Sequence, residues 1–127
     1  MNLLDENVPA SQQALLRSMR LVLRQIGQDI GRSGMQDAEI IPLLHGLDRP
    51  TFFTLDRDFY DPRLCHEGYC LVFLVVEEEM AAEYIRRLLR HRDLNTKVKR
   101  MGCIVRVGAT GVTLYRLHQQ ESVQLPW

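Results

Sequence analysis

The segment Thr51-Phe52-Phe53-Thr54-Leu55-Asp56-Arg57-Asp58-Phe59 decides how the chain is read. Its first five residues are β-branched, aromatic or aliphatic, the composition of a buried strand. The run then breaks off into two carboxylates around one arginine. The chain opens in the same way, with Asn2-Leu3-Leu4 leading straight into Asp5-Glu6-Asn7. Two short strands that each end in acid predict negative charge at one edge of a parallel sheet. In open α/β sheets, ligands bind outside the carboxyl ends of the strands. The pattern therefore points to a cluster of acids that needs a hard cation, and to chemistry that uses one.

Working outward, residues 2–4 predict a short strand. Residues 11–19 predict a helix with Leu15, Leu16 and Met19 on one side, and Pro9 is tolerated in its first turn. Residues 20–26 alternate polar and apolar, as a half-buried strand does. A helix between two strands is the crossover that parallel pairing requires. Residues 27–34 hold three glycines and read as a loop. A helix follows from about Gln36, with Ile40, Leu43, Leu44 and Leu47 on one face. Pro42 sits awkwardly in it, so the helix either kinks there or starts later. Asp37 and Glu39 fall in the opening turn, where the helix dipole favours anions.

Beyond the decisive segment, residues 70–76 are almost continuously apolar and predict a strand buried on both faces. Glu77-Glu78-Glu79 opens a helix carrying Ala81, Tyr84, Ile85, Leu88 and Leu89 on one stripe. Residues 93–100 read as a polar, basic connection. Residues 103–107 and 112–117 read as two strands of a hairpin joined by Gly108-Ala109-Thr110-Gly111. The expectation is a single α/β domain over residues 1–117 with a mainly parallel central sheet and a C-terminal β-hairpin. Residues 118–127 are expected to be a tail.

The length of 127 residues suits one compact domain. Sixteen basic side chains balance sixteen acidic ones, so net charge does not argue for a nucleic-acid or membrane partner. The distribution is uneven. Residues 86–100 hold seven basic side chains (Arg86, Arg87, Arg90, Arg92, Lys97, Lys99, Arg100) against Asp93 alone. An acidic centre beside a basic patch suits a polyanionic substrate, and a solvated helix face followed by a basic loop explains the run equally well. Cys65, Cys70 and Cys103 form no Cys-x-x-Cys and leave one over from any pairing, which favours a reduced, cytoplasmic protein. No secretory leader and no bilayer-spanning run is read, so no membrane partner is expected.

The acids carry the chemistry. Asp5, Asp56 and Asp58 follow strands that should be neighbours, and Asp37 begins a helix that can approach the same edge. Carboxylates crowded together repel, and Mg²⁺ or Mn²⁺, which prefer oxygen ligands, relieve that repulsion. Such an ion activates water and stabilises charge on a phosphoryl oxygen. Each acid also has an ordinary role open to it. Asp5 can hold a turn, Asp37 can cap its helix, Glu6 can sit on the surface, Glu39 can serve the dipole, and Asp58 can start the turn at residues 59–62. Arg57 can pair with Asp56 or reach a substrate phosphate. His45 reads as structural. The Cys65-His66-Glu67 group lacks the spacing of a zinc site.

Three stretches together resemble a known family. Leu3-Leu4-Asp5-Glu6-Asn7-Val8-Pro9, Gly34-Met35-Gln36-Asp37-Ala38-Glu39-Ile40 and Phe53-Thr54-Leu55-Asp56-Arg57-Asp58-Phe59 are similar, in order, to the LLDEN-P, D-x-EI and T-x-D-x-DF segments of the PIN-like family. The resemblance covers roughly residues 1–90. It implies a three-layer α/β/α PIN-like fold. Related PIN domains are Mg²⁺- or Mn²⁺-dependent ribonucleases, often toxins of toxin–antitoxin pairs. By position, Asp5, Asp37, Asp56 and Asp58 match the acidic metal site, with Glu6, Glu39 and Arg57 in support. The elaborate loop at residues 27–34, Pro42, and the long basic stretch with its hairpin depart from the family core.

The functional expectation is a metal-dependent endoribonuclease, the toxin partner of a small antitoxin protein, with a homodimer also open. Arg86, Arg87, Arg90, Lys97, Lys99 and Arg100 would hold RNA by phosphate contacts. The alternative is a non-catalytic PIN-like module that binds a protein or nucleic acid. Another divalent-dependent phosphohydrolase is the third reading.

Overall fold

A computed structural model describes all 127 residues. In chain order the elements are β1 (Asn2–Leu4), α1 (Ala10–Ser18), β2 (Leu23–Gln25), α2 (Asp37–His45), β3 (Thr51–Thr54) and β4 (Cys70–Leu74). They continue with α3 (Ala81–Arg90), α4 (Lys97–Arg100), β5 (Cys103–Gly108), β6 (Gly111–Arg116) and β7 (Val123–Leu125). All seven strands join one sheet in the order β2-β1-β3-β4-β5-β6-β7. The first five strands are parallel to their neighbours, and β6 and β7 are added antiparallel. The chain is thus α/β with a mainly parallel sheet, as its pattern predicts.

Side-chain alternation along the strands builds a core on each face. Leu4, Phe53, Val72 and Val105 point to one side and pack with Leu16 of α1 and with Ala81, Ala82, Ile85 and Leu88 of α3. Leu3, Phe52, Leu71 and Ile104 point to the other and pack with Ile40 and Leu44 of α2. Every residue of β3 is buried because it lies inside the sheet with both faces covered. This explains why its sequence is a continuous apolar run rather than an alternating one.

The crossovers are of mixed hand. The β1-to-β2 step and the β4-to-β5 step run in opposite directions along the sheet. Yet α1 and α3 cover the same face. Two parallel crossovers with that relation have opposite handedness, so one runs against the strong right-handed norm.

Several boundaries differ from expectation. The left-handed backbone of Arg20 (φ 65°) turns the chain after α1, Val22 is 88% exposed, and β2 begins only at Leu23. Helix α2 starts at Asp37 and runs through Pro42. Ala38, whose carbonyl loses its partner, is exposed, so water can satisfy it. The expected loop at 93–100 contains α4, whose Thr96 side chain caps the Lys99 amide at 3.2 Å.

The expected tail instead adds β7 to the edge of β6. Gly111 permits this. It has φ +153°, and a Cβ there would lie 2.9 Å from the carbonyl oxygen of Leu125. No helix is long and apolar enough to cross a membrane. All three cysteines are free thiols.

Candidate functional site

From β1 the chain steps to β2 on one side and then returns to β3 on the other. The strand order therefore reverses between β1 and β3, and open α/β sheets bind ligands outside the carboxyl ends at such a switch point. Asp5 follows β1 and Asp56 lies just past β3, so both border it. Asp58 belongs to the short 3₁₀ turn Arg57–Phe59, which Asp56 caps by accepting the Asp58 amide at 2.9 Å. Phe59 is buried against Phe52 and anchors that turn. Asp37 is the first residue of α2. Its position is set by a capping-box contact, in which the Glu39 side chain accepts the Gln36 amide at 3.2 Å.

One carboxylate oxygen from each of Asp37, Asp56 and Asp58 lies within 4.8 Å of the others. An octahedral Mg²⁺ with bonds of about 2.0–2.1 Å sets opposite ligands about 4.1 Å apart. Three oxygens within 4.8 Å of one another approach that limit, and their oxygen chemistry suits such an ion. None of the three, nor Asp5, has a cationic side chain within ion-pair distance.

Asp5 lies beneath this triad and is not one of its members. Its carboxylate accepts the Thr54 hydroxyl at 2.7 Å and the Glu6 amide at 2.8 Å. Burial pushes its pKa up, the two hydrogen bonds oppose that, and the charges of Asp56 and Glu6 add to it. Asp37 is also raised, by partial desolvation first and then by the charges of Asp56, Asp58 and Asp5. The four acids are therefore close enough to feel one another, although they come from three separated stretches of chain.

The supporting residues have local duties. Glu6 accepts the Gly34 amide at 2.7 Å and so ties the 27–34 loop to the end of β1. Glu39 makes the capping contact to Gln36 and pairs with Arg32. Arg57 is exposed and makes no ion pair. Composition did not single out Thr54, Asn7 or Gln25. The Thr54 hydroxyl accepts the Asp56 amide at 3.0 Å and the Asn7 carboxamide at 3.4 Å while donating to Asp5. The Gln25 carboxamide donates to the carbonyls of Asp5 and Val8, at 3.0 and 2.8 Å. The available signal was the two threonine hydroxyls in an otherwise apolar buried strand, since such groups must find partners.

The basic stretch divides. Arg100 is only 7% exposed and donates to the Thr51 hydroxyl and the Leu94 carbonyl, both at 2.9 Å. It is a buried structural residue and is corrected from the set of phosphate contacts. Lys99 donates to the Arg92 carbonyl at 2.7 Å and to Asn95 at 3.1 Å. Because Arg100 grips Thr51, the first residue of β3, α4 with Lys97 and Lys99 lies at the amino ends of the strands. That is the edge opposite the acids. Arg86, Arg87 and Arg90 line a separate groove with Trp127. His45 is exposed and sets its ring against His66, with centroids 4.3 Å apart.

Comparison with protein-family models, with curated proteins and with solved structures finds no match to this chain.

Proposed function

We propose that the chain is a PIN-like domain of three-layer α/β/α design that acts as a Mg²⁺- or Mn²⁺-dependent endoribonuclease. The toxin role with a small antitoxin partner belongs to the same proposal. One observation carries the reading: four carboxylates without a cationic partner converge at the switch point of the sheet. Crowded acids cost stability unless a ligand neutralises them.

Asp37, Asp56 and Asp58 would hold the ion. When bound, it would activate water and stabilise charge on a phosphoryl oxygen. Asp5 would sit beneath them, its carboxyl group held in place by Thr54 and by the Glu6 amide. Its raised pKa suits a group that takes a proton near the reacting water. Thr54 would hold Asp5 and Asp56 in fixed relation, because its one oxygen bonds to both.

A second reading is a non-catalytic PIN-like module, and one observation favours it. Lys99 and Arg100, expected to grip substrate, bind the chain's own groups instead. The test is cleavage of single-stranded RNA with Mg²⁺, with Mn²⁺ and with EDTA. The expected result is divalent-dependent cleavage that Asp56→Asn abolishes while the variant stays folded. Cleavage retained by that variant, or none by the parent with either ion, overturns the nuclease reading. Co-purification with the product of a small adjacent reading frame tests the toxin assignment separately.

A further inference from the structure

The groove beside α3 has a volume of about 760 Å³ and an unusual charge pattern. Arg86, Arg90 and Arg92 line it, and the last two make no ion pair. Arg86 meets only Glu83, at 3.8 Å. Arg86 and Arg90 stand four residues apart on the same helix, a spacing at which like charges repel by about 0.2–0.5 kcal/mol. The helix dipole repays part of that cost near its C-terminus. It does not account for the aromatic side of the groove. Arg87 lies 4.3 Å over the Trp127 ring and 5.2 Å over that of Tyr84. Trp127 is itself fixed, because its indole N–H donates to the Gly108 carbonyl at 2.9 Å.

That last bond locates one end of the groove; the other, at Arg92, lies toward the amino edge, where Lys99 donates to the Arg92 carbonyl at 2.7 Å. Gly108 ends β5, and β5 is parallel to β4 and β3. Trp127 therefore sits at the same edge of the sheet as the acids, two strands along from β3, or about 10 Å at the usual strand spacing. The link from β4 to α3 lies between the two, with Val75 and Met80 40% and 41% exposed and Glu77, Glu78 and Glu79 exposed beside them. A strand of nucleic acid leaving the acids would cross this mixed apolar and acidic step and then meet an indole held among guanidinium groups. Single-stranded chains are gripped by that combination of a cationic groove and aromatic platforms. An acidic peptide would use the arginines but has no planar bases for the indole.

We propose that this groove binds the flanking segment of a single-stranded RNA, with Arg86, Arg90 and Arg92 on phosphates and a base stacked against the Arg87–Trp127 pair. The proposal rests on the ribonuclease reading for its choice of ligand, but its test is independent of hydrolysis. Trp127 is the only tryptophan in the chain, so its fluorescence reports on the groove alone. A single-stranded oligouridylate is titrated in EDTA, with the protein intact and uncleaving. Saturable quenching is expected.

Three phosphate contacts predict that the affinity falls roughly 20-fold between about 50 and 200 mM salt. Arg90→Ala should make the log–log salt slope shallower by about 0.7 with an unchanged melting temperature. Absence of quenching, an Arg90→Ala slope equal to the parent's, or equal quenching and displacement by polyglutamate each overturns the groove assignment. Polyglutamate acting in this way would assign the groove to an acidic peptide. Quenching without cleavage would leave the groove standing and remove the nuclease, and cleavage without quenching would do the reverse.

Discussion

Replacing Asp56 with Asn should make the metal-free protein more stable. Asp56 faces Asp37 and Asp58 with oxygens within 4.8 Å. Two unit charges at that separation repel by about 0.9 kcal/mol at the dielectric of water, and by about 3.5 kcal/mol at an effective dielectric of 20. Asp37 and Asp58 are exposed, which selects the lower figure for each pair. Removing one charge from two such pairs then gains about 1–2 kcal/mol. Asn still caps the 3₁₀ turn, because its side-chain oxygen accepts the same amide.

With an unfolding entropy of about 2.1 cal/mol/K per residue over the whole chain, the gain corresponds to a rise in Tm of about 4–8 °C. Saturating Mg²⁺ should reverse the ranking. An ion at about a hundred times its Kd stabilises the parent by about 2.7 kcal/mol, and the variant has lost a ligand. The assay is thermal unfolding followed by circular dichroism, in EDTA and in Mg²⁺. A lower Tm for the variant in EDTA, or an equal Mg²⁺ response in both proteins, would refute the reasoning. Asp56 would then be a structural cap and no part of an ion site.

Three further outcomes are expected. Thr54→Val keeps the shape of a fully buried side chain but removes a hydrogen bond to the Asp5 carboxylate, so stability should fall by about 2–3 kcal/mol, and an unchanged urea midpoint would count against the hub role of that hydroxyl. The pH dependence follows from Asp5 and Asp37, both raised above their ordinary 3.8. The fold prefers their protonated forms, so the stability they supply is complete below that value and is lost as pH rises through their folded pKa values. Mg²⁺ binds the deprotonated acids, so its stabilising effect should grow across the same window, and a Mg²⁺ shift that is flat from acid to neutral pH would speak against an ion among them. Gly111→Ala places a Cβ 2.9 Å from the Leu125 carbonyl. It should cost about 1–3 kcal/mol and shift Trp127 emission to the red; an unmoved spectrum would show that β7 does not depend on this close approach.

The acid-terminated strands were legible because burial and charge change sharply within one residue, at Leu4–Asp5 and again past Thr54. Helix α2 was legible through its dipole acids and its single apolar stripe. What escaped had partners far away in the chain. Arg100 looked like one more surface base, but it reaches Thr51, 49 residues earlier, and no local pattern encodes that. Glu6 looked like a surface acid, and its partner, the Gly34 amide, is 28 residues on. Strand β7 was hidden because a short edge strand with exposed residues has the composition of a tail. Its place is set by the lack of a side chain at Gly111 on the neighbouring strand. Asp5 was identified as a site residue, but its depth below the triad depends on the Thr54 hydroxyl, which a hydropathy pattern does not record.

The shared side of α1 and α3 has a consequence for how the polypeptide is made. The Gln12 carboxamide accepts its bond from the Ala82 amide, 70 residues later. At the ribosome's pace of about 5–20 residues per second, the amino-terminal helix waits about 4–14 s for that partner to be synthesised. During the wait Leu16 has only the nascent strands to lie against. An arrested nascent chain that stops before Ala82 should therefore be sensitive to protease, and one long enough to release α3 should resist it.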